Sequence, residues 1–352
     1  MTVVASKCGS AGDVEHIHWR EETDPSVWDR ELARLGGHPL QSALWGDARR
    51  EADGIDDHRF VAEGRSGTLL MARMELRRIP LIGGQVGWIP RGPAGNTSLE
   101  IDEAAFRALA PKALARPVLI VTDRWHESSS IDWADARRPE TIWIDLSSGR
   151  DRVWHNLDRQ WRYGVGKAQR MGVTVERSRS DEDIHQCLVL LDRIGADKKF
   201  ESPISEGTLR RLLASDPARS VSVHMFVARC EGAFAAVALI FKCGKSVHYL
   251  SGGTDRQYSR HRAGEALHWS IIEWAIAAGA SLYDLEGIDR LKDPGTFAFK
   301  KKMGGREVAL TGKHYYALSA IGRAVAAADK FRDTSMRQYL RGFEWLRWRK
   351  AH

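Results

Sequence analysis

Residues 293–305 read DPGTFAFKKKMGG. Lys300, Lys301 and Lys302 are adjacent, and their mutual repulsion calls for water, an anionic partner, or a reaction intermediate that gathers negative charge. Phe297 and Phe299 alternate as in a strand, where neighbouring side chains point to opposite faces. That spacing predicts that Lys300 and Lys301 diverge, one into a crevice and one into solvent, before Gly304 and Gly305 let the backbone turn. Carboxylates precede them: Asp284 and Glu286 alternate along the otherwise apolar SLYDLEGI, and Asp289 follows. Either at least one faces a cleft, where it could serve as a base, or they serve as a helix cap or in a salt bridge. Asp284 is the candidate for catalysis.

Further cations lie elsewhere. Trp45-Gly46-Asp47-Ala48-Arg49 offers a guanidinium able to grip a carboxylate or diphosphate through two parallel hydrogen bonds. Arg91-Gly92-Pro93 is a rigid turn that sets a cation at a strand end; Asn96, shortly after, cannot act as a general base. Tyr249 and Tyr258 precede the stretch from His261 to Ala266, and Tyr258 is a candidate substrate contact. A helix expected over 150–171 brings Arg159, Arg162 and Arg170 near one face, with Lys167 adjacent. The C-terminal stretch adds Arg337, Arg341, Arg347, Arg349 and Lys350 among Tyr339, Trp345 and Trp348. Basic and aromatic residues together suit RNA phosphates and base stacking. They equally suit an amphipathic helix docked by its aromatic face, or an anionic membrane surface. There is no HExxH, no Cys/His metal spacing, no GxSxG and no Walker A sequence, so no metal is expected.

The elements that position these residues must come from 352 residues, enough for about two domains. Hydrophobic residues make up 43%, which supports a sizeable core and argues against disorder. The net charge of +7 permits a phosphate-rich partner without requiring one. Cys8, Cys187, Cys230 and Cys243 form no CxxC and read as reduced thiols. The opening residues lack a signal-peptide pattern, and the longest apolar run, Ala233 to Phe241, is too short to span a bilayer. A cytoplasmic monomer is expected, meeting any membrane-linked substrate at the surface.

One pattern occurs twice. HRFVAEG and TLLMARMEL read as strands around a turn at Gly64 and Gly67; GGQVGWIPRGP adds a third, followed by a helix over 99–114 and the buried strand PVLIVTD. VHMFVARC, a Glu231-Gly232 turn and AFAAVALIF repeat the hairpin. SVHYLSGG, a helix over about 262–278 stopped by Gly279, and SLYDLEGI complete the second copy. The reading is α+β: two similar domains, each a mixed, mostly antiparallel sheet with packed helices, and a cleft between them. The boundary is expected near 145–149, giving units 1–145 and 146–314, with Ser147 or Ser148 capping the next helix.

Three antiparallel strands, a helix and a returning strand resemble the acetyltransferase fold known as GNAT. Its acyl-donor loop commonly reads Gln/Arg-x-x-Gly-x-Gly/Ala and places backbone N–H groups on a pyrophosphate. His261-Arg262-Ala263-Gly264-Glu265-Ala266 matches at Gly264 and Ala266, with His in the first place. More of the chain, from about Gln41 to Tyr316, resembles the Fem family of aminoacyl-tRNA-dependent transferases, which build peptidoglycan bridges from two GNAT-like domains. Its landmarks here are QSALWGDARRE, GWIPRGP, IDLSSGRDRVWHNLDRQWRYGVGKAQRMGVTV, YLSGGTD, IIEWAIAAGASLYDLEGI and FAFKKKMGG, in that order.

The resemblance implies attack by a free amine on the ester joining an amino acid to tRNA, needing neither metal nor cofactor. The donor would be aminoacyl-tRNA, and the acceptor a peptide or muropeptide, free or lipid-linked. Lys300 would be the lysine of the family's Phe-Lys motif, with Phe299 beside it, meeting the oxyanion. Trp45 and Arg49 would lie where armless members have Trp-x-x-x-Lys, and would bind substrate together with Arg91, Asn96, Tyr258, Arg262 and Gly264. Lys301, Lys302, Arg159, Arg162, Lys167, Arg347 and Arg349 would meet tRNA. Between Val175 and Val221 about one helix and a loop are expected, as in armless members, and 315–352 would return to the first domain. Two other functions stay open: an acyl-CoA-dependent N-acyltransferase, and a silent protein that binds RNA or cell-wall precursors.

Overall fold

The computed structural model describes residues 3–7, 15–64, 67–79, 84–95, 99–100, 103–128, 139–198 and 204–331. In chain order the first part holds β1 (Val3–Lys7), β2 (Glu15–Glu21), α1 (Pro25–Arg34), α2 (Ala43–Asp53), β3 (Asp57–Gly64), β4 (Gly67–Arg78), β5 (Gln85–Ile89), β6 (Ala94–Gly95), β7 (Leu99–Glu100), α3 (Glu103–Ala113) and β8 (Pro117–Asp123). Then come β9 (Glu140–Asp145), α4 (Arg150–Asn156), α5 (Arg159–Arg170), β10 (Thr174–Ser178), α6 (Asp181–Lys198) and α7 (Glu206–Ala214). The chain continues with β11 (Val221–Cys230), β12 (Ala233–Cys243), β13 (Ser246–Thr254), α8 (Ala263–Ala277), β14 (Leu282–Asp284), α9 (Pro294–Lys301), β15 (Arg306–Ala309) and β16 (Lys313–Ala317). A last helix runs over 320–331.

Two mixed sheets result. One runs β16-β8-β5-β4-β3-β2-β1-β7, with β6 also on β4; the other runs β10-β11-β12-β13-β14-β9-β15. The duplication read from the sequence is visible in the pairing. In the first sheet β3, β4 and β5 are antiparallel and β5 pairs in parallel with β8 across α3. In the second, β11, β12 and β13 are antiparallel and β13 pairs in parallel with β14 across α8. This is an α+β, GNAT-like architecture.

The strongest local signals gave the firmest elements. Glu231 and Gly232 both take positive φ, 51° and 81°, the two-residue turn that suits the twist of a hairpin. Every residue from Ala235 to Phe241 is fully buried because the strand is covered on both faces. Ala236, Ala238 and Ile240 pack with α8, while Val237, Leu239 and Phe241 join a cluster that also includes Trp28 and Trp45 of α1 and α2 and Met71 of β4. That cluster draws on both sheets, so the two units share core.

Several expectations are corrected. Glu140–Asp145 pairs with β14 and β15 in the second sheet, so the change of sheet comes before residue 140 and not after 145. By contrast, Lys313–Ala317 lies on β8 of the first sheet, the unit to which 315–352 is expected to return. The helix expected over 150–171 is broken, because Asp158 caps a new one by accepting from Gln160 N. Gly149 precedes α4 without a side-chain cap, while the Ser147 and Ser148 hydroxyls turn back to Asp145. The helix placed at 99–114 starts at Glu103, after a short strand on β1. Between Val175 and Val221 the described residues hold two helices, not one, since Ser205 caps α7 and Leu209, Leu212 and Leu213 bury its inner face. Among the described residues Cys187, Cys230 and Cys243 are unpaired and buried; Cys8 lies outside them.

FAFKK is helical, contrary to the strand reading. Asp293 caps α9 by accepting from Thr296 N and Pro294 opens it, two start signals that outweigh the Phe-x-Phe alternation. Gly304 ends the segment at φ 76°, where an added Cβ would lie 2.1 Å from Asn156 O. Gly304→Ala is expected to destabilise the protein by at least about 2 kcal/mol, read as a lower denaturant midpoint at unchanged slope.

Candidate active site

Four segments converge where the sheets meet. The first is His38, just ahead of a 3-10 turn at Pro39–Gln41. Gln41 is fully buried and clamps this turn: its Nε2 donates to Pro90 O at 2.6 Å and its Oε1 accepts from Arg73 N at 2.8 Å. A Cβ on Gly92 would strike the Gln41 side chain, so glycine lets the second segment, Arg91-Gly92-Pro93, approach. The third is β13, carrying His248. The fourth is the end of β14, carrying Asp284, with the turn after it, where Glu286 lies.

Asp284 is sealed in. Its carboxylate accepts from Trp125 Nε1 at 2.6 Å, Trp143 Nε1 at 3.0 Å, Glu286 N at 2.7 Å and the Thr141 hydroxyl. It is fully buried, which raises its pKa, and with four donors it has no face left for substrate. Its assignment as a cleft-facing catalytic residue is not what this geometry offers; it braces the walls.

Glu286, half-buried, is the one that reaches a pocket. His38 Nδ1 accepts from Leu40 N at 3.1 Å, so the ring's hydrogen is on Nε2, which donates to Glu286 Oε1 at 2.6 Å. His248 Nδ1 meets the same oxygen at 3.0 Å, and Arg91 Nη2 stands 3.5 Å from Oε2. Burial alone would raise the Glu286 pKa, but the two histidines and the Arg91 charge outweigh it and hold the group well below the usual carboxylate range. Burial pushes His38 down to about 3, so its help comes as a neutral hydrogen bond. Arg91 and Glu286 both sit in left-handed backbone, at φ 54° and 56°. Side chains rarely adopt it without compensating contacts, and such positions cluster at functional sites.

His38, His248 and Glu286 place three ligand-type atoms within 4.8 Å of one another. A metal does not fit them: a ligating imidazole directs its other N–H to an acceptor, whereas His38 Nδ1 receives an N–H from Leu40.

Two hollows adjoin this cluster. A pocket of about 250 Å³ between the sheets is lined by His38, Trp45, Arg49, Arg77, His248 and Glu286. A cavity of about 800 Å³ opens along β13 and the start of α8, lined by Tyr249, Thr254, Gly264, His268, Phe299 and Lys300. Leu250 lines both.

Lys300 is 6% exposed at the wall of the larger cavity. Its Nζ donates to Leu285 O at 2.6 Å, Gly287 O at 2.9 Å and Glu286 O at 3.2 Å. An ammonium has three N–H donors, so an oxyanion would have to displace a carbonyl. Lys301 is exposed and paired with Glu307 at 3.1 Å, and Lys302 donates to Gln160 Oε1 at 2.9 Å. The three lysines do diverge, by helical rotation and not by strand alternation.

Of the other candidates, Arg49 lies 5.6 Å over the Trp45 ring and 3.4 Å from Asp53, at the smaller pocket. Gly264 lines the larger cavity, while Arg262 turns outward to pair with Glu265 at 2.9 Å. Tyr258 packs against the second core and does not line either hollow. Arg162 donates to Trp154 O, His155 O and Leu157 O, closing the end of α4 instead of facing outward. Arg159 is exposed and Lys167 half-buried. Asn96, Arg347 and Arg349 lie outside the described residues.

Sequence reasoning missed His38 and His248. The one available signal was an ionisable residue inside an apolar strand, SVHYL, and nothing linked it to His38.

Asp29 supports the pocket from behind, accepting from Ala43 N at 2.6 Å and Leu44 N at 3.2 Å at the start of α2. Burial raises its carboxyl to about 6. Its contribution to stability is therefore full below the unfolded pKa near 4 and is lost as pH rises toward 6, by up to about 3 kcal/mol. Asp29→Asn should flatten that part of the stability profile in denaturation at successive pH values. An unchanged slope would show that Asp29 titrates normally.

Residues 155–301 match the family described as an acetyltransferase (GNAT) domain. No curated protein matches the sequence. Among solved structures the chain is similar to FemX, at 15% identity and a TM-score of 0.69, covering 86% of this chain and 97% of that one. It is also similar to a tandem GNAT protein from the clavulanic acid biosynthesis pathway (11% identity, TM-score 0.50, 86% and 99% covered). A third is a conserved protein of unknown function from Bacteroides thetaiotaomicron (11%, 0.53, 84% and 98%). Two mixed sheets of matching strand order, a GNAT domain match in the second half and the likeness to FemX over most of the chain agree: the chain has a GNAT-type fold similar to that of FemX.

Proposed function

We propose that the protein is an aminoacyltransferase that moves an amino acid from aminoacyl-tRNA to an amine of a peptide or muropeptide-type acceptor. The coarser statement, an acyltransferase, is supported by the acetyltransferase domain and the FemX likeness. The finer one is carried by one observation: two hollows of different size and lining converge at Leu250, one along the GNAT-type β13–α8 edge and one between the sheets. The donor's aminoacyl end suits the first and the acceptor amine the second, with each sheet and its helices forming one lobe.

In this reading the amine nitrogen attacks the ester carbonyl, the bond to the tRNA ribose oxygen breaks, and an amide forms. Glu286 holds the incoming ammonium at the pocket. Its low pKa makes it a good ion-pair partner and a poor base. With Asp284 sealed, the proton leaves to water or to the departing ribose oxygen. Lys301, Lys302, Arg159 and Lys167 remain the candidates for tRNA phosphates.

A second reading, acyl-CoA-dependent N-acyl transfer, draws support from the domain match and from Gly264 at the cavity wall. Incubating the protein with a total charged-tRNA pool and candidate acceptors should give a mass gain of one amino-acid residue that RNase abolishes. RNase-resistant transfer from acetyl-CoA would overturn the tRNA reading in favour of the second.

A further inference from the structure

Lys300 belongs by position to the larger cavity, yet the groups it holds belong to the smaller pocket. Its ammonium lies 5.4 Å over the Tyr249 ring at the cavity wall. The oxygens it binds are consecutive carbonyls, Leu285, Glu286 and Gly287. Three successive carbonyls turn toward one point only if the chain departs from extended geometry, and Glu286 makes that departure at φ 56°. A left-handed residue other than glycine is disfavoured, so the turn needs compensation. The flanks are pinned to β9: Leu285 N donates to Ile142 O at 3.0 Å and Ile288 N to Glu140 O at 2.9 Å. Lys300 gathers the carbonyls between those pins. The same turn aims the Glu286 carboxylate at His38, His248 and Arg91.

We propose that Lys300 is a positioning residue: seated in the wall of one hollow, its ammonium holds the left-handed turn that presents Glu286 to the other. This role goes beyond charge neutralisation and exists before any substrate arrives. It ties the two hollows together, because a ligand that draws the ammonium away from the carbonyls releases Glu286. The part of the test that uses transfer rests on the proposed function; the part that uses ligand-free protein does not.

The ligand-free test follows the ring ¹⁵N and ¹H resonances of His38 and His248 in the full chain, with His224 as a buried control on β11. Lys300→Met keeps most of the side-chain volume and removes the donors. It should shift the His38 and His248 signals and weaken their hydrogen-bonded N–H resonances, although Lys300 bonds to neither ring, while His224 stays in place. Added methylammonium should restore them. Should the methionine variant not fold, Lys300→Gln, which keeps a partial donor set, is read the same way. Unmoved His38 and His248 signals in a folded variant would overturn the proposal, even if transfer activity fell.

Once an acceptor is known, the kinetic split gives an independent arm. Lys300→Met should raise the acceptor KM at least about fivefold, the size expected of coupling between sites, with the donor KM nearly unchanged. A rise confined to the donor would mean that Lys300 acts on donor directly, and the positioning role would be wrong. If the rings move as expected and no aminoacyl transfer is found with any substrate, the transferase reading fails and the positioning role stands.

Discussion

Asp284→Ala is expected to lower the stability of the protein by at least about 4 kcal/mol, because each buried donor left unpaired costs about 1–3 kcal/mol and this carboxylate serves four. Those donors come from three segments: Trp125 beyond β8, Thr141 and Trp143 on β9, and the Glu286 amide. Removing the acceptor thus loosens the seam between the sheets as well as a single contact. Trp125 and Trp143, with ring centroids 5.4 Å apart, would keep their indole N–H groups dry and unbonded. Asp284→Asn retains one oxygen and should fall between wild type and alanine. Chemical denaturation followed by tryptophan fluorescence reads both the stability and the environment of these rings. An alanine variant within about 1 kcal/mol of wild type would show that the donors find water or other acceptors.

Glu286→Gln should leave the fold intact and reduce kcat/KM for transfer by roughly 10²-fold, the scale of losing one partner of a close charge pair. The glutamine oxygen still accepts from the histidine rings. What disappears is the negative charge that Arg91 faces and that an ammonium would meet. The sign of the pH effect is opposite to that of Asp29. The Glu286 pKa is depressed, so its contribution to stability is present above the ordinary carboxylate pKa and is lost as pH falls through the folded value. The glutamine variant should therefore lose less stability than wild type on acidification. Wild-type kcat/KM in a folded glutamine variant would remove Glu286 from the site.

These expectations rest on geometry that the sequence shows unevenly. Elements fixed by short-range chemistry were legible: the Glu231-Gly232 turn, the apolar run Ala235–Phe241, the Gly279 stop and the order of the two strand-helix-strand copies. Each depends on residues within a few positions of one another, where hydrogen bonding and side-chain period decide the outcome. Errors arose where two local signals competed. Phe-x-Phe alternation lost to the Asp293-Pro294 helix start, and a continuous amphipathic pattern over 150–171 lost to the Asp158 cap. Glu140–Asp145 looked like the end of one unit, yet it is the strand the second sheet needs between β14 and β15.

The sequence alone determined that the chain folds as two related α+β units; it also led to the expectation that Lys300 and Lys301 part company, by strand alternation where helical rotation does it. It also placed Asp284 on a strand ahead of them, while Glu286, expected on the same strand, lies in the left-handed turn after it. Only the tertiary structure decided which carboxylate is sealed and which reaches a pocket, because that depends on partners far along the chain. His38 and Glu286 are 248 positions apart, and no spacing rule links them. Their meeting follows from how two sheets share a core, and burial, left-handed backbone and hydrogen-bond direction then set the charge that each group carries.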